Sequence, residues 1–200
     1  GVIVHEAYHN GGDADTLHYV ESAGSVAAAL LAGAAARHGL LDLDTPLHEL
    51  GITAPPVPVP RASDPATAAR ERRHPELRWG ARWREVTTRH LLSQTTGWGR
   101  APPGTTFDLD PTGDILAVGS KVLWATTGRP PAEWAREHLT GPLGAPDFFT
   151  RGGVSGDAPR GDVSVAGGQM ATCRDAARFG QLIVNRGRWL AKDGSVRVLV

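Results

Sequence analysis

The run Val26–Ala36 contains only Val, Ala, Leu and Gly and is the longest apolar stretch of the chain. Alanine and leucine lead the helix-propensity scale, and alanine loses no side-chain entropy on becoming helical. The composition therefore predicts a helix before any packing partner is considered. The run falls well short of the roughly 20 apolar residues that cross a bilayer core, so no membrane span is expected of it. Helical composition extends over Ser22–His38, and Gly39 supplies a natural stop.

Around this helix the chain reads as alternating short elements. Gly1–Tyr8 opens on Val-Ile-Val and predicts a strand entering a Gly11-Gly12 turn. Leu40–Leu50 is a connector containing Pro46, and the Pro-rich and Arg-rich stretch from Ala54 to Arg73 predicts a surface excursion. Further helices are predicted at Thr87–Gln94, closed near Gly97, and at Pro111–Thr127, with Asp110 as cap, Pro111 in the first turn and Gly128 as stop. Pro131–Leu139 reads as another. Thr172–Asn185 carries a capping-box-like Thr172-x-x-Asp175, with Phe179, Leu182 and Ile183 on one face and Gly187 ending it. Arg188–Val200 has room for a turn and a short element. No repeat or low-complexity tract interrupts this order.

The 200 residues suffice for one core, and a charged fraction of 21% against 40% hydrophobic is that of a soluble globular chain. Formal net charge is zero, which gives no global attraction to nucleic acid or to an anionic membrane. Cys173 is the only cysteine, so neither an intrachain disulfide nor a cysteine zinc cluster can form. A disulfide-free chain is compatible with either side of a membrane, and no secretory signal is legible from Gly1 onward.

Four segments, in order, carry a resemblance. The first is Thr16-Leu17-His18, then Ser22-Ala23-Gly24-Ser25, running into Leu31-Ala32-Gly33 and His38-Gly39-Leu40-Leu41-Asp42-Leu43-Asp44-Thr45-Pro46. The second is Val86-Thr87-Thr88-Arg89-His90-Leu91-Leu92-Ser93-Gln94-Thr95-Thr96-Gly97. The third is Pro103-Gly104-Thr105-Thr106-Phe107-Asp108, leading to Gly141-Pro142-Leu143-Gly144. The fourth is Ala166-Gly167-Gly168-Gln169-Met170 followed by Arg174-Asp175-Ala176-Ala177-Arg178-Phe179-Gly180. Together they resemble the serine β-lactamase and penicillin-binding-protein group, which includes class C β-lactamases, D-alanyl-D-alanine peptidases, esterases and 6-aminohexanoate-dimer hydrolases.

The resemblance implies an α+β fold of the β-lactamase/transpeptidase type: a helix-rich portion with an incomplete antiparallel sheet. It implies one domain over residues 1–200, lacking the family's outer N-terminal and C-terminal segments. It also implies acyl-serine chemistry on amides, esters or β-lactams, with no cofactor. Such chemistry needs a base beside the serine hydroxyl, and the group's Ser-x-x-Lys arrangement places a lysine one helical turn later on the same face.

The flanking segments set Ser22 at the nucleophile position and Ser25 at the lysine position, and serine has no basic form near neutrality. The chain has two lysines, Lys121 and Lys192, preceded at three residues by Val118 and Trp189, so no Ser-x-x-Lys occurs anywhere. The group's second motif, Tyr-x-Asn, falls where Leu109 replaces the tyrosine and Pro111 the asparagine. Its third motif belongs to a strand expected beyond Val200. The resemblance therefore predicts a catalytically impaired member, with a small-molecule or peptide ligand in the vestigial cleft as the expected partner.

One motif points elsewhere. His5-Glu6-Ala7-Tyr8-His9 fits the H-E-x-x-H pattern of zinc peptidases, with His5, His9 and Asp15 as ligands and Glu6 as base. That chemistry needs a helix, because on a strand the two histidines stand about 13 Å apart. Val2-Ile3-Val4 favours the strand. His90 reads as a packed or capping histidine, Asp42 and Asp44 as turn formers, and Cys173 as a small packed residue. Trp79, Trp83 and Trp98 suit a cleft lining and a packing role equally.

Overall fold

A computed structural model of the chain describes residues 3–54, 80–97, 101–107, 114–151, 165 and 167–200. The predicted surface excursion beyond Ala54 lies outside the described residues, as do Trp79, Trp98, Leu109, Asp110 and Pro111. The elements are α1 (Ser25–Arg37), α2 (Thr88–Leu92), α3 (Asp114–Thr127), α4 (Pro131–Ala135) and α5 (Cys173–Val184), with short strands β1 (His18–Tyr19), β2 (Met170–Ala171), β3 (Arg188–Leu190) and β4 (Val196–Val198). The strands form two antiparallel pairs, β1 with β2 and β3 with β4. Helices thus dominate the described residues, as an α+β reading with a small sheet requires.

The alanine-rich run is the centre of the core. Leu31, Ala34 and Ala35 of α1 have no exposed surface, and α1 packs on α3 and on the segment after α4. Short alanine side chains let these neighbours approach closely, which is how a helix poor in large residues still excludes water. Gly33 lies under the chain's last residue: a Cβ there would stand 2.6 Å from Val200 Cγ1, and the adjacent Leu199 is buried.

Helix limits follow local chemistry. Thr87 caps α2 in a reciprocal box with His90, whose Nδ1 accepts from the Thr87 amide at 3.2 Å. Burial pushes the His90 imidazole below its ordinary range, so the neutral, accepting form that the cap needs is favoured. Thr172 and Asp175 make the predicted box at the start of α5. Gly39, Gly97, Gly128 and Gly187, predicted as stops, all take positive φ.

The helix predicted over Pro131–Leu139 differs in form. After α4 the backbone widens into a π-helical turn, Arg136–Thr140, and a last turn, Gly141–Leu143. Gly141 permits this, since a Cβ there would meet the Arg136 carbonyl oxygen at 2.1 Å.

Two expectations are corrected and one is sharpened. The described part of Gly1–Tyr8 is not a strand. Val-Ile-Val has β propensity, but a strand needs a paired edge, and β2 pairs with His18–Tyr19 instead. Ile183 is exposed rather than core-facing, leaving Phe179 and Leu182 as the buried face of α5. Cys173 is exposed, because it occupies the first turn just after the Thr172 cap. Trp83, by contrast, is a packing anchor: it is buried and its indole Nε1 donates to the Ile52 carbonyl at 2.9 Å.

Asp42 and Asp44 do shape the connector. Asp42 accepts from the Asp44 amide at 2.9 Å, and Asp44 takes a two-bond ion pair from Arg89 of α2, at 2.7 and 2.8 Å.

Candidate functional site

The segment before α1 sits against the segment before α5. Ser22 lies in a tight 3₁₀ turn, Glu21–Gly24, that joins β1 to α1, and its side chain faces solvent. β1 brings the turn to β2 through the pairs His18–Ala171 and Tyr19–Met170. The pairing continues past the strands: the Val20 amide donates to the Gln169 carbonyl at 3.0 Å, and the Gly168 amide to the Glu21 carbonyl at 3.2 Å.

Glycines on both sides make this approach possible. A Cβ on Gly167 would stand 2.8 Å from the Glu21 carbonyl oxygen and 3.2 Å from Ser22 Cα. On Gly24 it would meet Gln169 Oε1 at 1.9 Å. The Gln169 side chain is buried beneath the serine turn. Thus the first and fourth segments singled out in the sequence are two halves of one contact.

Glu21, immediately before Ser22, has φ of 48°, a left-handed conformation that a residue with a Cβ adopts at a cost of about 1–3 kcal/mol. Packing against Gly167 and Gly168 holds it there. Sequence reasoning had no signal for this strain, because glutamate is not a residue that favours positive φ.

Ser25 opens α1 one turn after Ser22. Its hydroxyl donates to the Ser22 carbonyl oxygen at 2.7 Å, the backward bond that helical serines commonly make to their own backbone. The side chain at the lysine position is therefore engaged with the helix it belongs to. Ser25 also lines a pocket below the turn, with Thr88, Leu91 and Leu92 of α2 and Val122 of α3 on the facing walls. Thr88 is a residue the sequence reading passed over, and only tertiary contact reveals it.

His5, His9 and Asp15 do not form a helical metal site. Residues 3–9 have no regular structure, and Asp15 belongs to a turn in which its amide donates to Asp13 at 3.0 Å. Glu6, the would-be base, is held by Arg174 of α5 through bonds of 2.8 and 2.6 Å, and the Tyr8 hydroxyl donates to the same carboxylate. Among the described residues, no group of three or more His, Cys, Asp or Glu stands where one metal ion could be held. The segment is a strap pinned to α5.

The hydrogen bonds from Arg174 and then from Tyr8 hold the Glu6 carboxyl down to about 2. A depressed folded-state value means the contact is fully present above 4.5 and is lost as pH falls from there through about 2. The NMR chemical shifts of residues 4–9 are expected to move toward random-coil values over that interval. Arg174→Ala is expected to produce the same change at neutral pH, and unchanged shifts in that variant would show that the pair does not hold the strap.

A family model described as Beta-lactamase matches residues 1–198. No curated protein sequence matches the chain. Among solved structures, a Bacteroides dorei protein taken to be a beta-lactamase is 22% identical over 93% of this chain and 55% of its own, with a TM-score of 0.64. A beta-lactamase/D-alanine carboxypeptidase from Yersinia pestis is 17% identical over 93% of this chain and 57% of its own, at 0.56. A class C beta lactamase from Rhodobacter sphaeroides is 16% identical over 86% of this chain and 53% of its own, at 0.54. The chain thus spans about half the length of the structures it resembles.

Proposed function

The chain belongs to the Beta-lactamase family, and from that premise we propose that it is a β-lactamase-related serine hydrolase in form whose Ser22 keeps the nucleophile's place but is catalytically impaired. The observation that carries this reading is Ser25. It stands where a lysine amine would take the Ser22 proton, and its hydroxyl is turned to the Ser22 carbonyl oxygen instead. A serine hydroxyl without a neighbouring base is a weak nucleophile, and a positioned base contributes typically about 10²–10⁴-fold. Leu109 and Pro111 remove the tyrosine and carboxamide that would carry the proton to a leaving group.

The parent activity is hydrolysis or transfer of an acyl group from an amide, ester or β-lactam to Ser22 and then to water or an amine. The impaired chain keeps the turn, the strained Glu21 and the glycine contact. It is therefore suited to hold a small-molecule or peptide ligand in the cleft without turning it over.

Fluorophosphonate and fluorescent penicillin probes test this directly. The expected result is no covalent label on the folded chain above the background of Ser22→Ala. Stoichiometric label on the peptide containing Ser22 would overturn the impaired reading and return the chain to the active hydrolases.

A further inference from the structure

The pocket below the serine turn has walls that specify a ligand, and this inference stands independently of whether Ser22 reacts. The pocket has a volume of about 30 Å³ and lies between α1, α2 and α3. Among the described residues, no charged one lines it. Its walls are Ala28 and Ala32 of α1, Leu91 and Leu92 of α2, and Val122 and Val165, interrupted by two hydroxyl side chains, Ser25 and Thr88. Gly119 keeps the α3 wall thin, since a Cβ there would press on Val165 Cγ2 at 3.2 Å.

Thr88 is the telling group. It is 3% exposed, and its hydroxyl oxygen is buried without a hydrogen-bond partner. Buried polar groups are normally paired, and a hydroxyl offers both a donor and acceptors. Ser25 has already committed its proton to the Ser22 carbonyl and can only accept. About two or three waters would fit by volume and could pair with Thr88 and Ser25, but no other side-chain polar group lines the described walls, so most of the pocket surface would face water with no partner to offer it. Apolar gas alone would leave Thr88 unpaired.

We propose that the pocket binds a small neutral amphiphile, a short-chain alcohol or amide of about three non-hydrogen atoms, whose polar group pairs with Thr88 and whose alkyl part rests on Ala28, Ala32 and Leu91. The volume sets the size, since one water requires about 10–15 Å³ on the same measure. The described walls offer an ion no counter-charge, and burial without a partner disfavours ions strongly.

Ethanol and xenon separate the polar and apolar parts of the claim. In methyl NMR titrations of the whole chain, Leu91 and Val122 signals are expected to shift and saturate with either probe. Thr88→Val keeps the shape and removes the hydroxyl, so ethanol affinity should fall by about tenfold while xenon binding persists. Ala28→Leu fills the cavity and should abolish both responses. Ethanol shifts that rise without saturating in the parent, or that saturate equally in Thr88→Val, overturn the proposal. Retention of the ethanol response in Ala28→Leu overturns it as well, and that variant decides the matter if Thr88→Val does not fold.

Discussion

Replacing Asp175 with alanine is expected to lower the stability of the chain by about 3 kcal/mol, the low end of the cost of breaking a buried ion pair. Asp175 is 3% exposed and serves three partners. Its carboxylate accepts from the Thr172 amide at 3.1 Å, from Arg151 at 3.2 Å and from Arg178 at 2.9 Å. The first bond closes the capping box of α5, and the second ties α5 to the turn at residues 147–151. Arg151 in turn accepts the Met170 amide through its carbonyl oxygen, so the anchor reaches β2 and the contact under Ser22.

Alanine leaves the Arg178 guanidinium without its carboxylate, Arg151 with only its longer pair to Asp147 at 3.7 Å, and the Thr172 amide without an acceptor. Both arginine side chains are about one-third exposed, at 33% and 34%, so water takes over part of their solvation and the cost stays near the lower limit. Asp175→Asn retains an oxygen for the Thr172 amide and should cost about half as much, since charge-assisted bonds are roughly twice as strong as neutral ones. Urea unfolding at neutral pH measures both. A domain of this size should lose about 6–12 °C in Tm for the alanine variant. A change within about 0.5 kcal/mol, the range of ordinary surface substitutions, would show that the three bonds do not stabilise the fold.

What could be read from the sequence was local. Thr172-x-x-Asp175 names a helix start because side chain and amide lie three residues apart, and the same holds for Thr87 with His90, read as a packed or capping residue. The glycine stops at 39, 97, 128 and 187 were legible for a similar reason: positive φ is costly for other residues, so glycine after a helical run carries a conformational message. Asp42 and Asp44 followed as turn formers. Ser22 was placed by motifs on both sides of it, and the structure sets it in the turn that opens α1.

What failed depended on distant partners. Val2-Ile3-Val4 has strand propensity, yet the edge that β2 offers is taken by His18–Tyr19, a pair too short to announce a strand by alternation. Cys173 is exposed rather than packed, and Ile183 is exposed beside Phe179 and Leu182, because a helix's sequence says which residues share a face and not how far the core reaches around it. The H-E-x-x-H pattern was chemically apt but belongs to a strap in which Arg174 claims the glutamate. The pocket beside Thr88 is assembled from three helices, and the left-handed Glu21 is imposed by glycines far along the chain. Neither leaves a trace in local composition.

Ser22 still lies in the turn that opens α1, so the missing groups can be put back beside it. The double change Ser25→Lys and Leu109→Tyr is expected to restore covalent labelling of Ser22 by a fluorophosphonate, by about 10²–10⁴-fold over the parent. Position 25 is on the helix face that carries Ser22, and the wall beside it is apolar: Ala28, Ala32 and Leu91. An amine held there is poorly solvated, which lowers its pKa and raises the fraction present as free base near neutrality. By the motif that the resemblance assigns to this stretch, a tyrosine at 109 would supply a proton path to the leaving group, which a leucine side chain cannot.

Each single change should recover much less, because members of a cooperating constellation act as a unit and their effects do not add. The triple variant that also carries Ser22→Ala fixes the background. Labelling of the double variant no greater than that background would show that the serine turn no longer presents a nucleophile, and that the loss extends beyond the missing base. Labelling that appears with Ser25→Lys alone would place the whole defect at position 25 and make Leu109 irrelevant to acylation.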